Sequence, residues 1–229
     1  MKKINITEKE IRQSPLTIDE IEKQKSFFNK KLKLIEKEFR LGFDFIKKYP
    51  KSITFFGSTR FKENNKYYEK ARDLAKLLSK EGYAIVTGGG PGIMEAANRG
   101  AVENNSKGIS IGYGIQLPHE QVINPYVTEN LNFHYFFSRK VMLSFSAEVY
   151  VYFPGGYGTM DEFFEILTLV QTGKLKKVPI ILFGSEYWNK FDKLIKETLF
   201  EEFKTIDKED VDLYTITDDI EDVMKIIRG

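Results

Sequence analysis

Glu162 stands at the end of Pro154-Gly155-Gly156-Tyr157-Gly158-Thr159-Met160-Asp161-Glu162, the stretch of the chain richest in residues that could do chemistry. An apolar run, Val149-Tyr150-Val151-Tyr152-Phe153, precedes it, and apolar residues at helical spacing follow from Phe163 to Val170. The pattern predicts a strand, a glycine-packed turn and a helix opening at or close to Thr159. Such a turn aims unpaired backbone N–H groups and the positive helix end at one point, which suits a phosphate. Glycines let the ligand approach the backbone with no Cβ in the way. Glu162 is then expected in the first helical turn. Pro-Gly-Gly is also ordinary turn material, and an acid there can simply complement the helix dipole. Three glycines, a threonine and an acid between a buried strand and an amphipathic helix ask for more than that. A pure binding loop does not need the carboxylate, so the expectation is an anion site with chemistry beside it.

Other strand-end loops hold most of the remaining unusual residues. Gly57-Ser58-Thr59-Arg60 offers hydroxyls and a guanidinium to an anion, although either hydroxyl could instead cap the next helix. Gly88-Gly89-Gly90-Pro91-Gly92-Ile93-Met94-Glu95 places Pro91 where a helix can start, so a second helix N-terminus can point at the same crevice. Close helix–strand packing accounts for two of those four glycines. Neither loop is a dinucleotide fingerprint in its usual place, and no Gly-Lys-Ser/Thr marks a Walker loop. Arg139-Lys140 is flanked by apolar Phe136, Phe137, Val141, Met142 and Leu143, so at least one charge is expected against a partly buried acid or a phosphate. Glu120, in Leu117-Pro118-His119-Glu120, could meet a base or ribose or lie exposed. His134 is assigned no role.

The elements that must position these residues alternate from Ile53 onward. Strands are expected at 53–56, 83–87, 108–112, 148–153, 178–183 and near 214–216, with helices at about 67–80, 91–104 and 138–145 and after Thr159. Short apolar strands alternating with helices predict an α/β fold, a parallel sheet covered on both faces. Ligands bind beyond the carboxyl ends of such strands. The first fifty residues differ, with 13 Lys/Arg against 8 Asp/Glu and no glycine before Gly42. Thr17-Ile18-Asp19-Glu20 reads as a capping box, and Ile21, Phe28, Leu32, Ile35, Phe39 and Ile46 fall on one helical face that Pro50 ends. Residues 1–50 are therefore expected to form a helical extension of a catalytic domain at 51–229.

Composition narrows the function further. The 229 residues are 41% hydrophobic and 30% charged, as in a globular protein with a proper core. A net charge of +2 without a basic, aromatic-interleaved stripe gives no argument for nucleic acid. The chain lacks cysteine and has only His119 and His134 as imidazoles, so no metal site is expected. The N-terminus has no signal-peptide apolar core and no stretch is long enough to span a bilayer, which predicts a cytoplasmic protein.

Taken together, the Gly88–Glu95 loop, Arg139-Lys140 and the Pro154–Glu162 loop resemble the motifs of the Lonely Guy (LOG) family of cytokinin riboside 5′-monophosphate phosphoribohydrolases. The similarity runs from about Ile53 to Trp188, and the N-terminal extension with Gln171-Thr172-Gly173-Lys174 resembles the longer bacterial branch. The resemblance implies a Rossmann-like doubly wound sheet and hydrolysis of the N-glycosidic bond of a nucleoside 5′-monophosphate. It implies Arg139 and Glu162 as catalytic residues and Gly155, Gly156, Gly158 and Thr159 as the phosphate holder. Glu120 matches a ligand-binding glutamate and Thr168 a further contact. Gly57, Ser58, Gly89, Gly90, Met94, Lys140 and Asp161 complete the expected substrate-binding set. Asp161 stands where many members have Glu, which leaves the base preference, AMP or an N6-modified relative, open. No cofactor is expected. Members often carry the label lysine decarboxylase, but beyond a phosphate cradle nothing in this sequence suits pyridoxal phosphate.

Elementary chemistry agrees with hydrolysis. Breaking an N-glycosidic bond passes through an oxocarbenium-like state that a carboxylate can stabilise. An arginine, always protonated, serves electrostatically and not as a proton donor. The alternative reading is a nucleotide- or cofactor-binding carrier that uses the cradle without cleavage; the Glu162 carboxylate speaks for the enzyme. A homodimer or larger homo-oligomer is expected, because the helices near Ser138 and Thr159 carry large apolar residues on more than one face.

Overall fold

The computed structural model describes residues 18–103, 107–116 and 123–229. The Thr17 capping box and the loop residues Leu117, Pro118, His119 and Glu120 lie outside the described residues. The chain divides into two compact units, residues 1–41 and 42–229. In the first, helix α1 (Ile18–Ile46) is the described element, and its last turns belong to the second.

The second unit is built on seven strands: β1 (Ser52–Phe56), β2 (Ala84–Thr87), β3 (Ser110–Ile115), β4 (Glu129–Phe133), β5 (Val149–Tyr152), β6 (Ile180–Phe183) and β7 (Thr215–Thr217). Every pairing is parallel, in the order β4-β3-β2-β1-β5-β6-β7. Helices α2 (Lys66–Lys80), α3 (Ile93–Val102), α4 (Phe136–Phe145), α5 (Tyr157–Gln171), α6 (Ser185–Lys193) and α7 (Ile220–Arg228) fill the connections. A π-helical stretch, Leu194–Glu202, continues α6. The expected doubly wound α/β sheet is the one found.

Six of the seven strands match the expected ones within a few residues, because all but the short edge strand β7 are largely apolar and buried from end to end. β4 has no counterpart in the sequence reading. Glu129-Asn130-Leu131-Asn132-Phe133 is an edge strand with only Phe133 buried, so it shows neither an apolar run nor a clean alternation.

Alternation along the strands assigns side chains to two layers. Ile53, Phe55, Val151 and Phe153 pack with Leu74, Ala75 and Leu78 of α2 in the main core. On the opposite face Phe56 stacks on Tyr152 at 4.7 Å, and Tyr152 meets Phe163 and Trp188 edge-on. These aromatic contacts lock α5 and α6 onto the carboxyl ends of β1 and β5. The chain winds outward from β1 to β4, then returns to start β5 on the other side of β1, which makes the β1/β5 boundary the switch point of the sheet.

Candidate active site

A cavity of about 880 Å³ opens at that switch point. The loop after β1 (Gly57 to Phe61), Gly88 and Met94 form one side, and Pro154 to Met160 with Glu162 form the other. Arg139 enters from α4, and Tyr187 and Phe191 from α6 close the wall.

The Pro154–Thr159 segment has the backbone arrangement an anion needs. The N-cap of α5 is Gly156, with no side-chain cap. By contrast α2 is capped by Asn65, whose Oδ1 accepts from the Tyr67 N–H at 2.9 Å, and α7 by Asp219. Asn65 thus takes the capping role that Ser58 or Thr59 could have filled. None of the backbone N–H groups from Gly155 to Thr159 donates to a carbonyl of the described residues. Gly155 has no room for a Cβ, which would overlap the Thr159 side chain. Thr159 itself is buried and lines the cavity.

Arg139 is fastened across three elements. It projects from α4, its Nε donates to the Tyr113 carbonyl of β3 at 2.6 Å, and its guanidinium lies where a Cβ on Gly88 would be. Gly88 is therefore a seat for the arginine. Burial lowers the Arg139 pKa, against the opposing pull of Glu162. An arginine starts so high that it stays a cation at neutral pH.

Glu162 is the one carboxylate lining the cavity among the described residues. It is not in the first turn, as the sequence suggested: α5 opens at Tyr157, so Glu162 falls in the second. There it no longer serves to complement the helix end, and the dipole explanation loses its basis. Burial pushes its pKa up to about 7, with Asp161 and Glu165 adding to the rise and Arg139 and Lys140 opposing it. The site thus joins a reluctant carboxylate, a fixed cation and a row of open N–H groups.

The other expected residues divide into two groups. Gly57, Ser58, Met94, Gly155, Gly156, Gly158 and Thr159 line the cavity with Arg139 and Glu162. Gly89, Gly90, Lys140, Asp161 and Thr168 do not. Gly89 and Gly90 turn their carbonyls to the Asn124 side chain, at 3.1 and 3.0 Å. The second helix N-terminus is likewise occupied: the Ile93 N–H donates to the Ser58 carbonyl at 3.0 Å, and Gly92, at φ +73°, packs against the same loop. Lys140 lies 2.7 Å from Asp161 and 3.5 Å from Glu165, outside the cavity. Burial alone would lower its pKa, but the two carboxylates together hold it raised. Asp161 and Thr168 border a separate shallow groove on α5, and the Thr168 hydroxyl donates to the Phe164 carbonyl at 2.7 Å.

Sequence reasoning missed Tyr187, Phe191 and the Asn98–Asn124 pair. Asn124 donates to Asn98 Oδ1 at 2.9 Å, and Asn98 in turn donates to Ser110 Oγ at 2.8 Å, under the glycine loop. A polar Asn98 among the alanines of an apolar helix face was a usable signal. Tyr187 follows the carboxyl end of a strand, the same address as the other site residues.

Residues 94–227 match a protein family described as "Possible lysine decarboxylase". A cytokinin riboside 5′-monophosphate phosphoribohydrolase of Rhodococcoides fascians is 25% identical over 157 residues, 68% of this chain and 79% of that protein. A probable enzyme of the same name from Oryza sativa subsp. japonica is 27% identical over 157 residues, 68% of this chain and 74% of its own. Among solved structures, a molybdenum cofactor binding protein of Rippkaea orientalis superposes with a TM-score of 0.55 at 21% identity, over 78% of this chain and 96% of that one. The molybdenum cofactor carrier protein of Chlamydomonas reinhardtii gives 0.54 at 22%, over 78% and 99%. At such identities the solved structures establish a shared fold.

Proposed function

Because this chain belongs to the family described as possible lysine decarboxylases, the LOG family, we propose that it is a nucleoside 5′-monophosphate phosphoribohydrolase. The reaction splits the N-glycosidic bond of AMP or a cytokinin riboside 5′-monophosphate into free base and ribose 5-phosphate. The observation that carries the reading is Glu162, held near neutrality beside Arg139 at the end of an open N–H cradle.

In this reading the N–H groups of Gly155 to Thr159 hold the 5′-phosphate, with Ser58 facing them across the cavity. Phosphate binding, remote from the reacting carbon, orients the ribose. The bond from C1′ to the base breaks with its electron pair leaving on the base. Arg139 offsets the negative charge that develops there or on the phosphate. Glu162 as carboxylate faces the cationic ribose and takes a proton from the water whose oxygen bonds to C1′, while the departing base takes up a proton from solvent. A pKa of about 7 suits that exchange at neutral pH.

The family description implies pyridoxal phosphate chemistry, and the residues present do not fit it. That cofactor is held through a lysine amine. Among the described residues no lysine lines the cavity, and Lys140 is engaged by Asp161 and Glu165.

We further propose a homodimer formed through α4 and α5, where Phe137, Phe145 and Phe164 are exposed and Phe136, 58% exposed, borders the cavity. The decisive experiment for the activity is incubation with a panel of nucleoside 5′-monophosphates, followed by chromatography for free base and ribose 5-phosphate. Tight nucleotide binding with no base released would instead identify a carrier.

A further inference from the structure

A phosphate cradle works only if its N–H groups face the ligand and its carbonyls face away. In a trans peptide the C=O and the following N–H point in opposite directions, so fixing one fixes the other. Two carbonyls of the Pro154–Thr159 segment are fixed in this way. The Pro154 carbonyl accepts from the Ser58 N–H at 3.0 Å, and the Gly155 carbonyl accepts from the Tyr187 hydroxyl at 2.7 Å.

The second bond engages the carbonyl that immediately precedes the helix cap. With Gly156 as N-cap, the helical ladder begins from the Met160 N–H to the Gly156 carbonyl at 3.1 Å, so the Gly155 carbonyl has no helical partner and Tyr187 takes it up. Taking up the Gly155 carbonyl turns the Gly156 N–H the other way. Tyr187 reaches the loop from α6, which follows β6, and its neighbour Trp188 anchors the same helix by donating from Nε1 to the Tyr152 carbonyl at 3.1 Å. The hydroxyl keeps its proton to donate, since burial raises its pKa.

We infer that Tyr187 is a positioning residue of the phosphate cradle, its hydroxyl holding the Gly155 carbonyl outward so that the adjoining Gly156 N–H stays directed at a ligand phosphate. The inference rests on the phosphate reading above and adds a residue to it. The side chain acts through the backbone of the loop, while its ring forms part of the cavity wall. These two contributions can be separated by substitution.

Tyr187→Phe removes the hydroxyl and keeps the ring; Tyr187→Leu removes both. Calorimetric titration of each full-length variant with AMP, ribose 5-phosphate and adenosine reads the difference. Loss of one neutral hydrogen bond should weaken AMP and ribose 5-phosphate about 3- to 10-fold in Tyr187→Phe, with adenosine unchanged. Tyr187→Leu should weaken adenosine as well. Unchanged AMP and ribose 5-phosphate affinity in Tyr187→Phe would overturn the role of Tyr187 and leave the phosphate site standing. Equal losses for AMP and adenosine would overturn it too, by showing a wall and not a positioning group. A wild-type protein that binds ribose 5-phosphate no better than ribose would remove the phosphate site, and the role of Tyr187 with it.

Discussion

Replacing Glu162 with glutamine removes its charge while keeping nearly the shape of its protonated form, so the variant tests both the environment and the chemistry of this side chain. Its folded-state pKa of about 7 stands above the ordinary carboxyl value of 4.5, mainly through burial. A carboxyl raised in this way binds its proton more tightly folded than unfolded. The stability it lends is complete below about 4.5 and is lost as the pH climbs through about 7. Between pH 5 and pH 8 the wild type should therefore lose about 2 to 3 kcal/mol on account of this group. Glutamine does not titrate, so the two proteins should melt close together at pH 5 and the variant should melt about 5 to 10 °C higher at pH 8. Calorimetric scans of both proteins at both pH values provide the measurement, and their difference cancels every other titrating group. Turnover should move oppositely, falling about 100- to 1,000-fold in the variant for the loss of one transition-state interaction. In the wild type the rate should rise as the pH passes through about 7, and the residual rate of the variant should not. An equal melting difference at pH 5 and pH 8 would refute the argument, because Glu162 would then titrate as an exposed carboxylate. Undiminished turnover would refute its catalytic role.

Gly88→Ala should keep the fold but lose at least about tenfold in turnover, since the added Cβ occupies the place of the Arg139 guanidinium; normal activity in a folded variant would show that the arginine has other room. Nucleoside 5′-monophosphates should be cleaved and the matching nucleosides hardly at all, and equal rates on AMP and adenosine would separate the cradle from catalysis. Lysine should yield no cadaverine, with or without pyridoxal phosphate. Sedimentation should find at least twice the 26.6 kDa chain mass, and a fully active species at 26.6 kDa would rule out the proposed dimer.

Much of the fold and the outline of the site could be read from the sequence, because both depend on local chemistry. The run Ile180–Phe183 is apolar throughout and Ile53–Phe56 nearly so, as strands covered on both faces tend to be. Glycines at 155, 156 and 158, between such a run and a helical period, mark a backbone open to an anion wherever the strand ends. What the sequence could not decide is anything set by elements far apart in the chain. Strand order is of this kind: only when β5 lies beside β1 do Gly57 and the Pro154–Thr159 loop face one cavity. β4 carries no apolar run because one side of it meets solvent. Resemblance pointed equally to Lys140, Asp161 and Thr168, but a residue on a helix faces inward or outward according to what packs on that helix, and these three fall outside the cavity. The seat of Arg139 needs Gly88 from the loop after β2 and Tyr113 from β3, and the Gly155 carbonyl needs Tyr187 from the helix after β6. Glu162 is a glutamate in the sequence; its affinity for a proton near pH 7 comes from tertiary burial, which no local pattern encodes.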